Sequence, residues 1–198
     1  MTRGPSRPLV LASGSRYRAR VLVDAGIDVD IVEPTVDERA LDHRFDPMDP
    51  GAHAVRLAVA KADSVMGRVP SGSLVIAGDQ LGVLDGSLLH QPGTAARAVD
   101  QLLSMSATTH LLVNGIVVTD VATGQRQTAV DVHRVTMRRF DRAEAEAYVR
   151  DFEPLDSVGG YRIEDDVDFI DSVEGSGPDG VMGMPIELLR RLIDRASS

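Results

Sequence analysis

The chain has 198 residues, of which 43 % are hydrophobic and 26 % charged, which suits one globular domain or two small lobes around a shared cleft. The absence of cysteine excludes disulfides and thiolate chemistry. A net charge of −9 argues against a general nucleic-acid binder but not against a nucleotide substrate, which needs only a local basic pocket. Short apolar runs and the lack of a signal-peptide pattern predict a cytoplasmic protein without membrane spans.

The first predicted elements are a strand, a turn and a helix. Residues 8–12 read as a strand, the turn Ser13-Gly14-Ser15 supplies Ser15 as N-cap, and a helix over 16–24 is stopped by Gly26. The first turns of this helix carry three arginines, Arg16, Arg18 and Arg20. Cations oppose the helix dipole there, so either an anion binds between them, as it can at a helix N-terminus, or they form a solvated basic face.

A second strand and a long helix follow. Residues 29–32 read as the strand, and a loop over 35–38 brings Glu38 back toward the same side. Residues 39–50 are polar and are predicted to form a mobile loop. Pro50 opens the helix, whose buried stripe recurs at helical spacing. Lys61 lies off the centre of that stripe, and a lone helix lysine usually faces solvent.

The stretch from Leu74 to Gln80 carries the chemistry around which the rest is arranged. A short buried-strand pattern breaks at Gly78, and Asp79 and Gln80 follow at once. Ligands gather beyond the carboxyl ends of strands in open α/β sheets, where an aspartate can act as general base or hold a metal. The alternative is that Asp79 caps a turn, and this segment alone favours that alternative.

The second half of the chain predicts an antiparallel region. Local signals indicate a hairpin at Asp85-Gly86, a helix capped by Thr94 and paired strands over 109–119 and 127–137. A capping box at Asp141 and Glu144 begins a helix that reaches about residue 149. A tight loop at 159–161, a strand over 169–173 and a last helix from Pro185 follow. The fold class is therefore mixed α/β with an antiparallel half, without an internal repeat or a linker between independent domains.

Several familiar site patterns are absent or misleading. Gly175 to Gly180 matches G-x-G-x-x-G literally, but Pro178 interrupts it and no βαβ unit can follow, so a loop is predicted. The chain has no P-loop, no G-x-S-x-G serine and no metal-ligand spacing among its histidines. What remains is two carboxylates, Glu38 and Asp79, with two cations, Arg18 and Lys61. That combination suits metal-assisted phosphate chemistry.

Six blocks of the sequence resemble the Maf family in order and spacing. The resemblance covers nearly the full chain, from residue 9 to residue 193; each block is weak alone, but their order and spacing are specific together. The blocks are LASGSRYRARVL from Leu11, Val36-Asp37-Glu38, LAVAKA from Leu57, Ala77-Gly78-Asp79-Gln80, Gly159-Gly160-Tyr161 and VMGMPI from Val181.

The resemblance implies a fold, an activity and a set of roles. The fold is an elongated, partly antiparallel mixed sheet with flanking helices in two lobes around a central cleft, similar to ITPases, as a single domain over residues 1–198. The activity is cleavage of nucleoside triphosphates between the α and β phosphates with Mg²⁺ or Mn²⁺, commonly by a homodimer. Asp79 is implied as the proton acceptor and, with Glu38, as a metal ligand. Further implied site residues are Lys61 and Arg18 in catalysis and Ser13 in substrate binding. Ser15 and Arg16 are also expected to bind substrate, because they stand at the start of the helix where an anion can bind.

Three further positions bear on the choice of base. The family's uridine/thymidine branch tends to show Arg, Thr and Gln where this chain has Tyr17, Gln80 and Glu164, and the 7-methyl-GTP branch an aromatic, Gln and Glu. The chain follows the second pattern. An aromatic face attracts the cationic 7-methylguanine ring, and a carboxylate accepts hydrogen bonds from guanine N1 and N2. The alternatives are a packing role for Tyr17 and a surface charge for Glu164.

The chain departs from the family pattern at three positions. Gln91 stands where the family has a phosphate-facing lysine, Ala19 where it usually has a cation, and Arg16 where it has proline. Losing a cation near developing phosphate charge costs rate. Two alternatives to a 7-methyl-GTP pyrophosphatase therefore stay open: a nucleotide-binding regulatory protein of cell division or translation with weakened catalysis, and a pyrimidine (dTTP/UTP) pyrophosphatase.

Overall fold

Seven strands form one mixed sheet in the computed structural model, which describes residues 7–165 and 168–197 apart from the side chain of Glu164. The strands are β1 (Leu9–Leu11), β2 (Asp30–Ile31), β3 (Leu74–Leu84), β4 (Ser87–Leu89), β5 (Thr109–Asp120), β6 (Arg126–Met137) and β7 (Ile170–Glu174). Their order is β2-β1-β3-β5-β6-β7, with β4 paired to β3.

The sheet has a parallel and an antiparallel part. β1 pairs in parallel with both β2 and β3. Val10 of β1 lies opposite Asp30 of β2 and Val75 of β3. β4 pairs antiparallel with β3 across the Asp85-Gly86 turn, and β7 pairs antiparallel with β6. Both turn residues have positive φ, 48° and 76°, as a tight hairpin requires. The predicted mixed α/β fold class is confirmed.

Six α-helices flank the sheet within the described residues. They are α1 (Arg16–Asp24), α2 (Pro50–Val65), α3 (Ala95–Met105), α4 (Arg142–Phe152), α5 (Pro178–Val181) and α6 (Ile186–Ala196). None of these described helices combines the length and apolarity needed to cross a membrane.

The chain divides into two compact units. Unit 1 comprises Met1–Gln80, Asn114–Asp131 and Gly177–Ser198, and unit 2 comprises Leu81–Val113 and Val132–Ser176.

Unit 1 has a hydrophobic cluster on each face of its part of the sheet. Side chains alternate between the two faces of a strand, so Leu74 and Ile76 of β3 pack with α1 and α6, while Val75 and Ala77 pack with α2. β5 continues both rows, with Ile116 on the α1/α6 side and the next residue on the α2 side. This alternation also decides where the polar residues at the end of each row point.

Unit 2 buries apolar residues such as Leu102 and Met105 and also contains aromatic and polar contacts. Phe140 and Phe169 stack with ring centroids 4.2 Å apart, and Tyr148 of α4 meets Phe169 edge-on. His110 of β5 shares a hydrogen bond of 2.8 Å with the Tyr161 hydroxyl.

Most predicted start and stop signals are confirmed. Ser15 caps α1, Gly26 follows α1 with φ 69°, and Thr94 caps α3. The capping box of Asp141 and Glu144 is complete at the start of α4. These signals succeed because a cap satisfies backbone groups within one turn and depends little on the remainder of the fold.

Three local predictions are wrong. Gly78 does not end a strand, because β3 runs unbroken from Leu74 to Leu84. The predicted loop over 39–50 contains a 3₁₀ helix, Arg39–Arg44, closed by Phe45 N–H donating to Asp42. The loop predicted over the G-x-G-x-x-G match ends in α5, which Pro178 can begin because its missing N–H has no partner in a first turn.

Candidate active site

Asp79 lies inside β3 and extends the row of side chains that faces α2. Val75 and Ala77 precede it in that row, and each is fully buried. The chain thus places a carboxylate where the next apolar core residue would come, and only 4 % of Asp79 is exposed. Burying an ionised carboxylate is costly unless it is paired, so this position requires a partner on α2.

Lys61 of α2 is that partner. It is 6 % exposed, against the expectation that a lone helix lysine faces solvent. Its Nζ lies 2.5 Å from Asp79 Oδ1 and 2.8 Å from Glu38 Oε1. One ammonium therefore joins a buried carboxylate to the half-exposed Glu38 at the start of the 3₁₀ helix. Of the 21 lysine and arginine residues in the chain, Lys61 is the only lysine.

Gly115 of β5 allows α2 to approach the sheet closely. A Cβ atom at this position would lie 2.1 Å from the carbonyl carbon of Ala54. The clash would be with helix backbone, which no rotamer change relieves. The absence of a side chain at Gly115 therefore sets the distance between the sheet and the helix that carries Lys61.

The environment of Asp79 favours its acting as a base. Burial raises the pKa of the Asp79 carboxyl above its ordinary value, while Lys61 and Arg18 act in the opposite direction. A carboxylate with a raised pKa accepts a proton more readily than a solvated one.

Arg18 brings a second cation to the same carboxylates. It lies in the first turn of α1. The Ser15 hydroxyl caps that turn by accepting a hydrogen bond from Arg18 N–H. Burial lowers the pKa of its guanidinium, and the charges of Asp79 and Glu38 oppose that shift. Arginine nevertheless stays protonated in proteins. Arg18 Nε donates to the carbonyl oxygen of Gly183 at 3.1 Å, which fixes the plane of the guanidinium.

A backbone segment that follows Pro178 is held by side-chain amides. Gln80 Nε2 donates to the carbonyl oxygens of Gly180 (3.3 Å) and Val181 (2.9 Å). Asn114 Nδ2 donates to the same Gly180 oxygen at 2.7 Å. We call residues 180–183 the carbonyl segment, because its carbonyl oxygens accept hydrogen bonds from residues on β3, β5 and α1.

The remaining predicted residues lie at or near the start of α1, or elsewhere. Ser13 is buried and its Oγ accepts a hydrogen bond from Ser15 N–H at 3.1 Å, which closes the turn before α1. Arg16 is exposed and Tyr17 is half-buried, both in the first turn of α1. Their contacts with a nucleotide stay predictions. The side chain of Glu164 lies outside the described part of the structure, and the exposed Gln91 belongs to unit 2.

Sequence reasoning missed Asn114 and Gly115. Both are poor strand formers, yet they stand together in the apolar run LLVNGIVV. Two poor strand formers inside an apolar strand pattern could have indicated that these positions make specific tertiary contacts. Their roles depend on contacts with α2 and with the carbonyl segment, which are distant in sequence.

The two carboxylates suit a hard divalent cation. Glu38 Oε1 and Asp79 Oδ1 converge on one Lys61 Nζ, so two anionic oxygens already surround one positive group. Mg²⁺ is usually held by one or two carboxylates together with substrate phosphates and water. Among the described residues no group of three or more His, Cys, Asp or Glu side chains is placed to hold a metal. The donor set therefore fits a metal that arrives with a phosphate substrate better than a closed protein site.

Chemically, the arrangement combines a base, two cations and oxygen donors. The cations attract and orient anionic groups, and the buried Asp79 can take a proton from a nucleophile beside them. These four charged groups belong to unit 1. Arg18 lies on α1, Lys61 on α2 and Asp79 on β3, and Glu38 immediately precedes the 3₁₀ helix. Such a site suits hydrolysis of a phosphate anhydride.

The chain is similar to known proteins over nearly its whole length. Residues 8–196 match the Maf family, described as Maf-like protein. A protein of Burkholderia lata is 36 % identical over 95 % of this chain and 89 % of its own length. Relatives from Albidiferax ferrireducens (35 %, covering 96 % and 94 %) and Bdellovibrio bacteriovorus (33 %, covering 98 % and 99 %) are similar too. All three relatives are named 7-methyl-GTP pyrophosphatase.

Proposed function

The chain belongs to the Maf family, and we propose that it is a nucleoside triphosphate pyrophosphatase. It hydrolyses the anhydride between the α and β phosphates and releases a nucleoside monophosphate and pyrophosphate. The observation that carries this proposal is the buried contact of Asp79 with Lys61, next to Glu38 and Arg18. A base and two cations are thereby gathered in one place.

Asp79 is the proton acceptor in this reaction. A water molecule adds at phosphorus on one side of the α–β bridge, and the bridging P–O bond on that side breaks. The water proton passes to Asp79, and the bridging oxygen leaves with its electron pair. Burial supports this role because it raises the pKa of Asp79.

Lys61 and Arg18 bind and orient the phosphates. Lys61 holds Asp79 in place through its ammonium, and Arg18 offers a guanidinium whose Nε is already fixed on Gly183. Because both cations are preorganised and largely buried, they stabilise developing negative charge without reorganising. The turn of Ser13 and Ser15 leads into the N-terminus of α1, where a helix dipole favours an anion.

A divalent cation is part of the proposal. Glu38 and Asp79 would hold it, and Mg²⁺ or Mn²⁺ supplies neutralisation of phosphate charge when bound. The same two carboxylates would then bind the metal and pair with the Lys61 ammonium.

The preferred substrate is proposed to be 7-methyl-GTP. The names of the relatives support this choice over a pyrimidine triphosphate and over a regulatory protein without catalysis. Tyr17, Gln80 and Glu164 are the proposed base-binding residues. Gln80 commits its amide N–H groups to Gly180 and Val181, so its Oε1 is the atom left to accept a hydrogen bond from the base. Assembly as a homodimer and a cytoplasmic location are also proposals, which rest on the family.

The test is pyrophosphate release by the purified protein. It is measured with 7-methyl-GTP, GTP, dTTP and UTP, each with Mg²⁺, with Mn²⁺ and with a chelator. The proposal expects turnover that requires metal and is fastest with 7-methyl-GTP. The variant Glu164→Gln should slow the guanine substrates more than the pyrimidines.

The contrary outcomes are specific. Nucleotide binding without pyrophosphate release under either metal would overturn the enzymatic proposal and favour the regulatory protein. Gln91→Lys, which restores the cation found in the family, would then be the first variant to test. Turnover fastest with dTTP or UTP would overturn the substrate assignment alone. Turnover undiminished by chelator would overturn the proposed requirement for a divalent metal.

A further inference from the structure

Asn114 is a fully buried polar residue in the middle of a hydrophobic strand. It lies on β5, on the face of the sheet that carries Ile116 and packs against α1 and α6. Burying an amide is unfavourable unless its groups are hydrogen-bonded. Its place in the core therefore needs a reason, and its two donor contacts supply one.

Both contacts require the N–H₂ group of an asparagine. Asn114 Nδ2 donates to Gly180 O at 2.7 Å and to Asp131 Oδ2 at 3.0 Å. A backbone carbonyl and a carboxylate are hydrogen-bond acceptors, so the orientation of the amide is decided by its partners. Aspartate has almost the same shape, but it would direct acceptor oxygens at both partners.

The contact with Gly180 leads to Arg18 through the carbonyl segment. Gly180 and Gly183 are the ends of this segment, and Gly183 N–H donates back to Gly180 O at 3.0 Å. Gly183 O in turn accepts the hydrogen bond from Arg18 Nε. Gly183 has φ 87°, which a non-glycine residue rarely adopts, and a Cβ there would lie 3.4 Å from Arg18 Nε. The segment is thus a tight turn shaped against the guanidinium.

We propose that Asn114 is a positioning residue that fixes the Arg18 guanidinium by anchoring the carbonyl segment. This inference rests on the proposed function for its rate measurements. Asn114 acts on Arg18 through Gly180 and Gly183. Gln80 anchors the neighbouring carbonyl from β3, so the segment is held at two points on one face of the sheet.

A double-mutant cycle between Asn114 and Arg18 tests the proposal. Asn114→Ala should lower kcat/KM for 7-methyl-GTP with Mg²⁺ by about tenfold to a hundredfold, because a small displacement of a charge-stabilising group is costly. In an Arg18→Ala background the same change should cost less than about twofold, because no guanidinium remains to be positioned. Equal losses in the two backgrounds would overturn the proposal, as would a wild-type rate for Asn114→Ala.

The same cycle is measured by equilibrium binding of 7-methyl-GTP in the presence of chelator. If the wild-type chain proves to have no turnover, the proposed function fails, yet the binding cycle still decides the role of Asn114. Loss of affinity that disappears in the Arg18→Ala background supports positioning, and an additive loss overturns it.

Two further variants separate positioning from folding. Thr119→Val changes another fully buried polar residue of β5, whose Oγ1 makes no hydrogen bond with the described residues. This control variant should leave both kcat/KM and the affinity for 7-methyl-GTP unchanged. Asn114→Ser keeps a small polar group that is too short to reach Gly180 and replaces the alanine variant if that one does not fold. A wild-type rate for Asn114→Ser would also overturn the proposal.

Discussion

Each of the two units buries a polar cluster, and the clusters are of opposite kinds. In unit 1 the cluster consists of formal charges, with Lys61 between Asp79 and Glu38. In unit 2 it centres on tyrosines and a histidine. Tyr148 donates to Asp165 at 2.7 Å and accepts from Arg162 N–H at 3.0 Å, and burial raises the pKa of Tyr148.

A candidate site and a structural network differ in how their polar groups are shared. In unit 2 the hydrogen bonds return to the same few groups, since Arg162 Nε also donates to Asp165. In unit 1 the carboxylates converge on a single ammonium, and the cluster retains charge and oxygen lone pairs for a ligand. Burial marks both clusters, whereas two carboxylates that share one ammonium mark only the first.

The strongest test of this comparison removes the base. Asp79→Asn keeps the shape of the side chain and should lower kcat by about a thousandfold, which lies within the usual range for losing a general base. Nucleotide binding should persist. Steady-state kinetics and calorimetric titration measure the two effects. Asp120→Asn makes the same substitution in the ion pair with Arg7 and should retain activity. Substantial turnover by Asp79→Asn would remove the base assignment.

A second test removes the buried cation. Lys61→Met should lower the free energy of unfolding by about 3–5 kcal/mol, because it leaves the Asp79 charge buried without its partner. Urea denaturation at neutral pH measures this. In the Asp79→Asn background the loss should be much smaller. Arg191→Met removes a cation from the exposed pair with Glu187 and should change stability little; similar losses for both variants would contradict the distinction.

A third test changes the spacing between α2 and the sheet. Gly115→Ala places a Cβ against the backbone of Ala54, so α2 must shift and carry Lys61 away from Asp79. We expect kcat/KM to fall by about a hundredfold. Gly72→Ala is the matched control, because its Cβ would meet no atom within 4 Å. A Gly115→Ala enzyme with normal kinetics would show that the close approach is not needed for catalysis.

A fourth test concerns unit 2 and depends on pH. Burial lowers the pKa of His110 to about 4 from its ordinary 6.5. Between these values the unfolded chain binds more protons than the folded one, so the stability contribution is complete above pH 6.5 and declines as the pH falls toward 4. Full titration over that interval is worth about 3 kcal/mol. His110→Gln should flatten the dependence of unfolding free energy on pH from 4.5 to 7.5, and an unchanged slope would contradict the assignment.

The sequence was sufficient for elements defined by a local signal. The bounds of α1 follow from Ser15 and Gly26, and the hairpin of β3 and β4 follows from Asp85-Gly86. The unbroken course of β3 did not follow, because Gly78 with Asp79 is a common turn pair. Pairing with neighbouring strands keeps that backbone extended, and this pairing is a tertiary fact.

The four charged residues that the structure brings together were named from the sequence, but the contacts between them were not. Sequence motifs identified Arg18, Glu38, Lys61 and Asp79, yet Lys61 alone appeared uninformative by its position on α2. Its burial depends on Gly115, which lies 54 positions further along the chain. Asn114 escaped notice for the same reason, since its partners Asp131 and Gly180 are remote in sequence.

The lone lysine makes the site chemically addressable. Apart from the α-amino group, Lys61 is the one primary amine of the chain, because every other strongly basic side chain is arginine. An amine-directed reagent, such as formaldehyde with a reductant, therefore has a single internal target. The mass of the intact protein then reports how far that amine is shielded, and a bound nucleotide that occupies the site would appear as slower methylation at one residue.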